Sequence, residues 1–247
     1  LPISNIILHQ PDSCEIIIED LGQSDMQLFS DKLLKEYLFQ TVEQIARLHV
    51  LGDQAVRLEE LPLQKGFTKG LYDWERDYFR SNILENFLSA SHLWAAVANE
   101  YKDLRNLLLR EPLVPIHRDL QSANIKILNG QVWLIDFQGM RLGAAAYDIA
   151  SLLYDPYPCH PIELRNQVCQ EYCKQVKNLG STAFSEQILH AAACQRLLQA
   201  LGAYGKLWLE DGLDWYKQFI IPGFTMLKEA AKAYSDFPQM EKFAEKC

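Results

Sequence analysis

The chain has 247 residues and a mass of 28.4 kDa, with 49% hydrophobic and 23% charged residues. That is enough for one large domain or two small ones, and the mix excludes disorder and collagen-like repeats. A net charge of −8 and a pI near 5.3 argue against a coat for DNA or RNA, so no nucleic-acid partner is expected. No apolar run approaches the ~18 residues of a membrane span, and no membrane partner is expected. Six cysteines (Cys14, Cys159, Cys169, Cys173, Cys194 and Cys247) contain no Cys-x-x-Cys pair. They read as scattered reduced thiols of a cytoplasmic protein rather than as a zinc site. No secretory signal is recognised at the N-terminus.

In chain order, Ile3 to Leu8 and Glu15 to Ile18 are short β-branched runs around the turn Gln10-Pro11-Asp12-Ser13, which predicts a hairpin. Leu33, Leu34, Tyr37, Leu38, Val42, Ile45 and Leu48 recur at helical spacing. They predict a helix over 30–51 with Ser30 as cap and Gly52 as stop. A loop over 53–66 and helices over 69–88 and 91–110 follow, the second ended by Pro112. Leu113 to Ile116 is a short extended piece. Ile125 to Leu128 and Gln131 to Ile135 read as strands joined by Asn129-Gly130, the pair that supplies both positive-φ positions of a type I′ turn. Both faces of this hairpin are largely apolar, which predicts burial. Helices are expected over 147–154, 161–178, 185–209 and 223–234. The whole is an α+β arrangement dominated by helix.

The chemistry concentrates in His117-Arg118-Asp119-Leu120-Gln121-Ser122-Ala123-Asn124 and in Leu134-Ile135-Asp136-Phe137. A hairpin returns the chain to its start, so Asn124 at its entrance and Asp136 at its exit become neighbours, with Asp119 on the loop leading in. Carboxylates held together need a compensating cation or proton. Hard oxygen ligands select Mg²⁺, which favours a few protein oxygens plus substrate phosphates. Phosphoryl transfer requires such a site together with a separate carboxylate for the attacking hydroxyl. Asp119 is therefore the candidate base, Asn124 and Asp136 the candidate metal ligands, and His117 a brace for the loop. Asp148 reads as a helix cap, and Arg118 as a structural partner for a nearby carboxylate.

With His-Arg-Asp-x4-Asn as catalytic loop and Asp136-Phe137-Gln138 in place of Asp-Phe-Gly, the sequence resembles the protein-kinase-like fold. Within it, the chain is similar to the aminoglycoside phosphotransferase and choline kinase group. Ile135-Asp136-Phe137-Gln138, Gly143 and Tyr147-Asp148-Ile149-Ala150-Ser151-Leu152-Leu153 resemble that group's bacterial amino-sugar kinases, which act on N-acetylmuramate and N-acetylglucosamine. Ile16 to Gly22 looks like the inter-lobe hinge, and Trp74 to Phe79 and Leu198 to Gly202 agree. The resemblance implies ATP and Mg²⁺ as cofactors, adenine held by the hinge backbone near Ile18 and Asp20, and Asp148 as an anchor of the catalytic loop. It divides the chain into a remnant of N-lobe strands with the hinge (1–22) and a helical C-lobe (23–247).

The implied activity is transfer of the γ-phosphate of ATP to a hydroxyl. Only eleven residues separate Asp136 from Asp148, too few for a peptide-docking activation loop, and Gln121 stands where Ser/Thr kinases carry Lys. A small-molecule acceptor, a sugar or amino sugar, is the expectation. Gln121, Glu75 and Arg76 are candidate substrate contacts, with a solvated helix face the competing reading for the last two. Aminoglycoside and choline or ethanolamine kinases are the rivals. Trp74, Tyr78, Trp208, Trp215 and Tyr216 are possible members of the aromatic cage choline needs. A non-catalytic binding module is the rival of another class. No glycine-rich phosphate loop or phosphate-gripping Lys is found. The abrupt start at Leu1 favours a fragment over a natural truncation or a lobe completed by another chain, and poor turnover by the isolated chain is expected. Oligomeric state is not legible.

Overall fold

Apolar stripes on the helices decide where each piece packs. The structure, a computed structural model, describes residues 1–58, 63–233 and 237–247. Its elements are β1 (Ile6–Gln10), β2 (Glu15–Ile18), α1 (Asp31–Leu58), α2 (Lys69–Phe79), α3 (Trp94–Leu108), β3 (Leu113–Ile116), β4 (Ile125–Leu128), β5 (Gln131–Leu134), β6 (Arg141–Ala144), α4 (Ala145–Leu153), α5 (Ile162–Asn178), α6 (Glu186–Leu209), α7 (Ile220–Ala233) and α8 (Pro238–Lys246). The strands form three antiparallel pairs, β1–β2, β3–β6 and β4–β5.

The core is built round α6. Ser185 caps it, its hydroxyl accepting from the Ile188 N–H at 3.4 Å. Ala191, Ala192, Ala193, Leu197, Leu198 and Leu201 have no exposed surface. The helix is apolar almost all round and packs against α2, α3, α4 and α7. At Gly202 a Cβ would stand 2.9 Å from the Phe79 nitrogen, so α2 lies against α6 as closely as two backbones allow.

The β4–β5 hairpin forms as the Asn-Gly pair predicts. Asn129 has φ +53° and Gly130 φ +75°, and Ile125 pairs with Leu134. Burial is on one face: Ile125, Ile127, Val132 and Leu134 are inside, while Lys126, Leu128 and Trp133 are half-buried. The N-terminal chain runs beside it. The Leu134 N–H donates to Pro2 O and the Ile127 N–H to Ser24 O, both at 2.8 Å.

Several boundaries differ from expectation. α1 does not stop at Gly52. That glycine lies against β3, where a Cβ would meet Pro115 Cγ at 3.4 Å, so it is a packing glycine within the helix rather than a terminator. The expected loop over 53–66 therefore starts after Leu58, and its residues 59–62 lie outside the described residues. The helix expected over 69–88 breaks at Phe79 into a π-helical turn, Arg80–Glu85, where the Asn82 amide donates to the Tyr78 carbonyl at 2.9 Å. The first strand begins at Ile6, because the preceding chain is engaged with β5 through Pro2 and Ile3. α7 begins ahead of Pro222, which is tolerated in a first turn whose N–H groups have no intrahelical acceptor. Residue 234, the end of the helix expected there, lies outside the described residues. β6 and α8 have no counterpart in the sequence reading. β6 depends on Gly143, where a Cβ would fall 2.6 Å from Ile116 Cδ1 across the strand pair. Among the described residues no helix is long and apolar enough to cross a membrane.

Candidate active site

The strand pairing continues one step past the hairpin. The Ile135 N–H donates to Asn124 O at 3.1 Å, which leaves Asn124 and Asp136 at the same open end. Asn124 is 8% exposed, and its Nδ2 donates both to the Asp119 backbone oxygen (3.0 Å) and to Asp119 Oδ2 (3.1 Å). A carbonyl only accepts, so the amide nitrogen must face Asp119. The amide oxygen then has no protein partner among the described residues. Asp136 is exposed, with φ +62°, and one of its carboxylate oxygens accepts from the Gln138 amide. The free oxygens are hard donors, one amide and one carboxylate, which fits Mg²⁺. Among the described residues no group of three or more His, Cys, Asp and Glu side chains is arranged to hold a metal. This pair would leave the remaining coordination positions to phosphates and water.

The loop that carries Asp119 is pinned at both ends by α4 and the residues after it. Asp148 is fully buried and accepts from the His117 N–H (2.7 Å) and the Arg118 N–H (2.8 Å), with His49 Nε2 at 3.1 Å. It caps nothing: the N-cap is Ala144, and no side chain bonds the first turn of α4. Those two bonds offset the cost of Arg118 at φ +77°, a conformation non-glycine residues rarely adopt. Asp155, not foreseen in the sequence, accepts from the Ser122 N–H (2.7 Å), the Ser122 hydroxyl (2.6 Å) and the Tyr157 N–H (3.0 Å). Burial pushes its carboxyl above the ordinary range, against the Ser122 bonds that favour the charged form. His117 Nε2 donates to Ile135 O at 3.0 Å, tying the loop to the hairpin's exit. This bond fixes the tautomer.

Arg196 was also missed. Its Nη2 donates to Asp119 Oδ1 at 2.7 Å, its Nε to the Ser151 hydroxyl at 3.0 Å, and its Nη1 to Gln199 Oε1. Two signals were present in the sequence. Asp148, Ser151 and Asp155 stand at i, i+3 and i+7, one face of a helix. Gln195-Arg196 also interrupts the otherwise apolar run from Ala191 to Leu198.

The remaining expectations fare differently. Glu75 is neither a substrate contact nor a solvated residue. It has no exposed surface and accepts from the Tyr147 hydroxyl (3.0 Å) and the Gln195 amide (2.9 Å), joining α2, α4 and α6 in the core. Burial raises its pKa. Arg76 is occupied by Asp77 (2.9 and 2.7 Å) and Asp73 (3.1 Å) along its own helix. Arg118 makes no ion pair within 4 Å of a described carboxylate, and the carboxylate whose charge it favours is Glu75. Gln121 lines a void of about 10 Å³ with Ser151, Asp155, Arg196 and Tyr204. Ile18 closes β2 opposite Ile6, and Asp20 accepts from the Gly22 N–H at 2.8 Å, ahead of the segment that flanks β4. The five aromatics fall into three groups, Trp74–Tyr78, Trp208–Phe87 and Trp215–Tyr216, each with centroids 5.1 Å apart, and the last pair also meets Tyr157, Tyr204 and Phe219. Among the described residues no ring contact joins them into a cage.

The chain is similar to known proteins along nearly its whole length. The chain is 24% identical over 237 residues to the N-acetylmuramate/N-acetylglucosamine kinase of Neisseria meningitidis serogroup B, covering 90% of this chain and 68% of that protein. Its fold is similar to a choline/ethanolamine kinase family protein of Mesorhizobium loti, with TM-score 0.67, 14% identity, and 99% and 78% of the two chains covered. It is also similar to the ADP-bound aminoglycoside phosphotransferase APH(2'')-Ib, with TM-score 0.57, 13% identity, and 97% and 77% covered. The kinase-like fold and the α+β class dominated by helix are therefore those expected. Residues 16–184 match the model of the phosphotransferase enzyme family, and the chain belongs to that family.

Proposed function

We propose that the chain carries the acceptor and metal sites of an ATP-dependent kinase that phosphorylates a hydroxyl of a small molecule, a sugar or amino sugar. The observation that carries this reading is the convergence of Asp119 and Asn124, joined at 3.1 Å, with Asp136 one residue beyond Asn124's pairing partner Ile135. Asp119 would accept the hydrogen bond of the acceptor hydroxyl and aim its oxygen in line at the γ-phosphorus. Both its carboxylate oxygens keep an unshared lone pair, and the side chain is 39% exposed. Asn124 and Asp136 would hold Mg²⁺, which supplies charge neutralisation to the phosphates. His117, Asp148 and Asp155 fix the loop so that this geometry costs no reorganisation at the moment of reaction. The backbone near Ile18 and Asp20 would hold adenine.

The sugar or amino-sugar acceptor is supported by the Neisseria relative. The aminoglycoside and choline readings rest on likeness of fold alone, at 13% and 14% identity. The test is transfer of phosphate from Mg-ATP to a panel of amino sugars, aminoglycosides and choline, using the protein that carries this sequence. The expected result is transfer to an amino sugar, reduced about 10²–10⁴-fold in kcat by Asp119→Asn with the fold retained. Transfer to choline alone would sink the acceptor assignment. Absence of transfer to every acceptor would leave a non-catalytic binding module, and an Asp119→Asn variant as fast as the parent would remove Asp119 from the reaction.

A further inference from the structure

We infer that Arg196 is a positioning residue of this site, holding the Asp119 carboxylate in the one orientation from which it receives the acceptor hydroxyl. The inference rests on the kinase reading above.

The first observation is the place of the charge. Arg196 is 7% exposed and sits within the buried helix α6, between Ala191–Ala193 and Leu197–Leu198, all without exposed surface. A guanidinium in such surroundings is costly unless every side of it is used. Burial works against its charge, and the Asp119 carboxylate leads the groups that hold its pKa up instead. The second observation is the geometry. Three N–H directions end on three different parts of the fold: Nε on Ser151 of α4 (3.0 Å), Nη1 on Gln199 one turn along α6, and Nη2 on Asp119 of the loop (2.7 Å). The guanidinium is planar and rigid, so fixing two of its edges fixes the direction of the third. Asp119 is therefore held by a fork whose other prongs are anchored in the two most buried helices of the core. The third observation is the balance on Asp119 itself. Oδ1 takes Arg196 and Oδ2 takes Asn124, which leaves the carboxylate no freedom to rotate about χ2 while part of it stays open to solvent. Without Arg196 only the Asn124 amide restrains it, and that amide also has to present its oxygen to the metal.

A purely structural Arg196 would tie α4 to α6 and nothing more. The two roles separate in a double-mutant cycle. Arg196→Met is expected to lower kcat about 100-fold, the cost of a misplaced catalytic group, with the KM values for ATP and acceptor changed less than about 3-fold. Arg196→Lys, which keeps the charge but not the planar fork, is expected to recover part of that loss and covers the case in which the Met variant does not fold. In an Asp119→Asn background the same Arg196→Met change is expected to cost less than about 3-fold, because there is no carboxylate left to hold. A loss of equal size in both backgrounds, or a folded Arg196→Met protein with kcat within about 3-fold of the parent, would overturn the inference. A second readout does not depend on turnover: the Asp119 side chain, followed by carboxyl carbon-13 NMR, is expected to be in one orientation in the parent and averaged in Arg196→Met. A parent that transfers no phosphate but shows this change would sink the kinase reading while leaving the hold on Asp119 demonstrated. An Asp119 signal unmoved by the substitution would sink the hold itself.

Discussion

Glu75 shows how far a single residue can depart from its sequence setting. Trp74-Glu75-Arg76-Asp77 is a polar stretch that suits a helix surface, yet the second residue has no exposed surface at all while Trp74 beside it is 52% exposed. The helix phase decides this: Tyr72, Glu75 and Phe79 share the face of α2 turned towards the core. A carboxyl there is tolerated because two donors meet it, Tyr147 and Gln195, and because Arg118 and Arg196 lie near enough to favour its charge. Burial still dominates and raises its pKa above the unfolded value. Protonated Glu75 is therefore the form the fold prefers. Its contribution to stability is fully present below the ordinary carboxylate range and is lost as pH rises through the raised pKa. Glu75→Gln removes that dependence and keeps both hydrogen bonds, since the Tyr147 hydroxyl can accept where it previously donated. The variant is expected to match the parent at the low-pH end and to gain on it progressively as pH is raised through the titration. Thermal melts at a series of pH values check this. An advantage that shrinks with rising pH would show that the arginines outweigh burial.

At the scale of elements, what was legible depended on whether the signal was local. The Asn129-Gly130 hairpin announces itself because two adjacent residues supply the whole turn, and the Asp119, Asn124 and Asp136 spacing follows from it. β6 has no such signal, being a strand made by the space Gly143 leaves for Ile116. The extension of α1 through Gly52 depends on Pro115, over sixty residues away in sequence. The supports of the loop were hidden for the same reason: Arg196 and Asp155 become part of the site only when α6 and the end of α4 are brought to it. The loop is fastened by two separate carboxylates, Asp148 for 117–118 and Asp155 for 122, and the two ends should loosen independently. Asp155→Ala is expected to speed hydrogen exchange at the Ser122 amide by about tenfold or more, the loss of one bond to a charged acceptor. The His117 and Arg118 amides should stay protected. Loss of protection at all three would mean that the loop opens as a single unit.

The molecule as a whole is unevenly stabilised. α6 is surrounded on nearly every side, whereas β1 and β2 contribute no buried residue. Ile6, Ile7, Leu8, Ile16, Ile17 and Ile18 are all 39% exposed or more. A two-stranded hairpin with neither face covered is marginal in water, and it is held here by its own ladder and by the bond from the Glu19 N–H to Asn5 O at 2.8 Å. Local opening should therefore cost little at this end and approach the global unfolding free energy in α6. In this chain alone, the β1 and β2 amides are expected to exchange many orders of magnitude faster than those of Ala192 to Leu198. The same uncovered state fixes the effect of substitution. Ile7 and Ile17 are 68% and 50% exposed, so replacing both with lysine removes little packed contact. The doubly substituted chain should melt within about 2 °C of the parent, the range of ordinary surface changes. It should also stay monomeric at higher concentration, because charges along a bare strand pair discourage edge-to-edge association. A fall of many degrees, or protection of these amides comparable to that of α6, would mean that in solution the two faces are covered, by a second copy or by another chain. Dilution separates those cases, since cover by a second copy is lost as concentration falls and cover by a tightly bound partner is not.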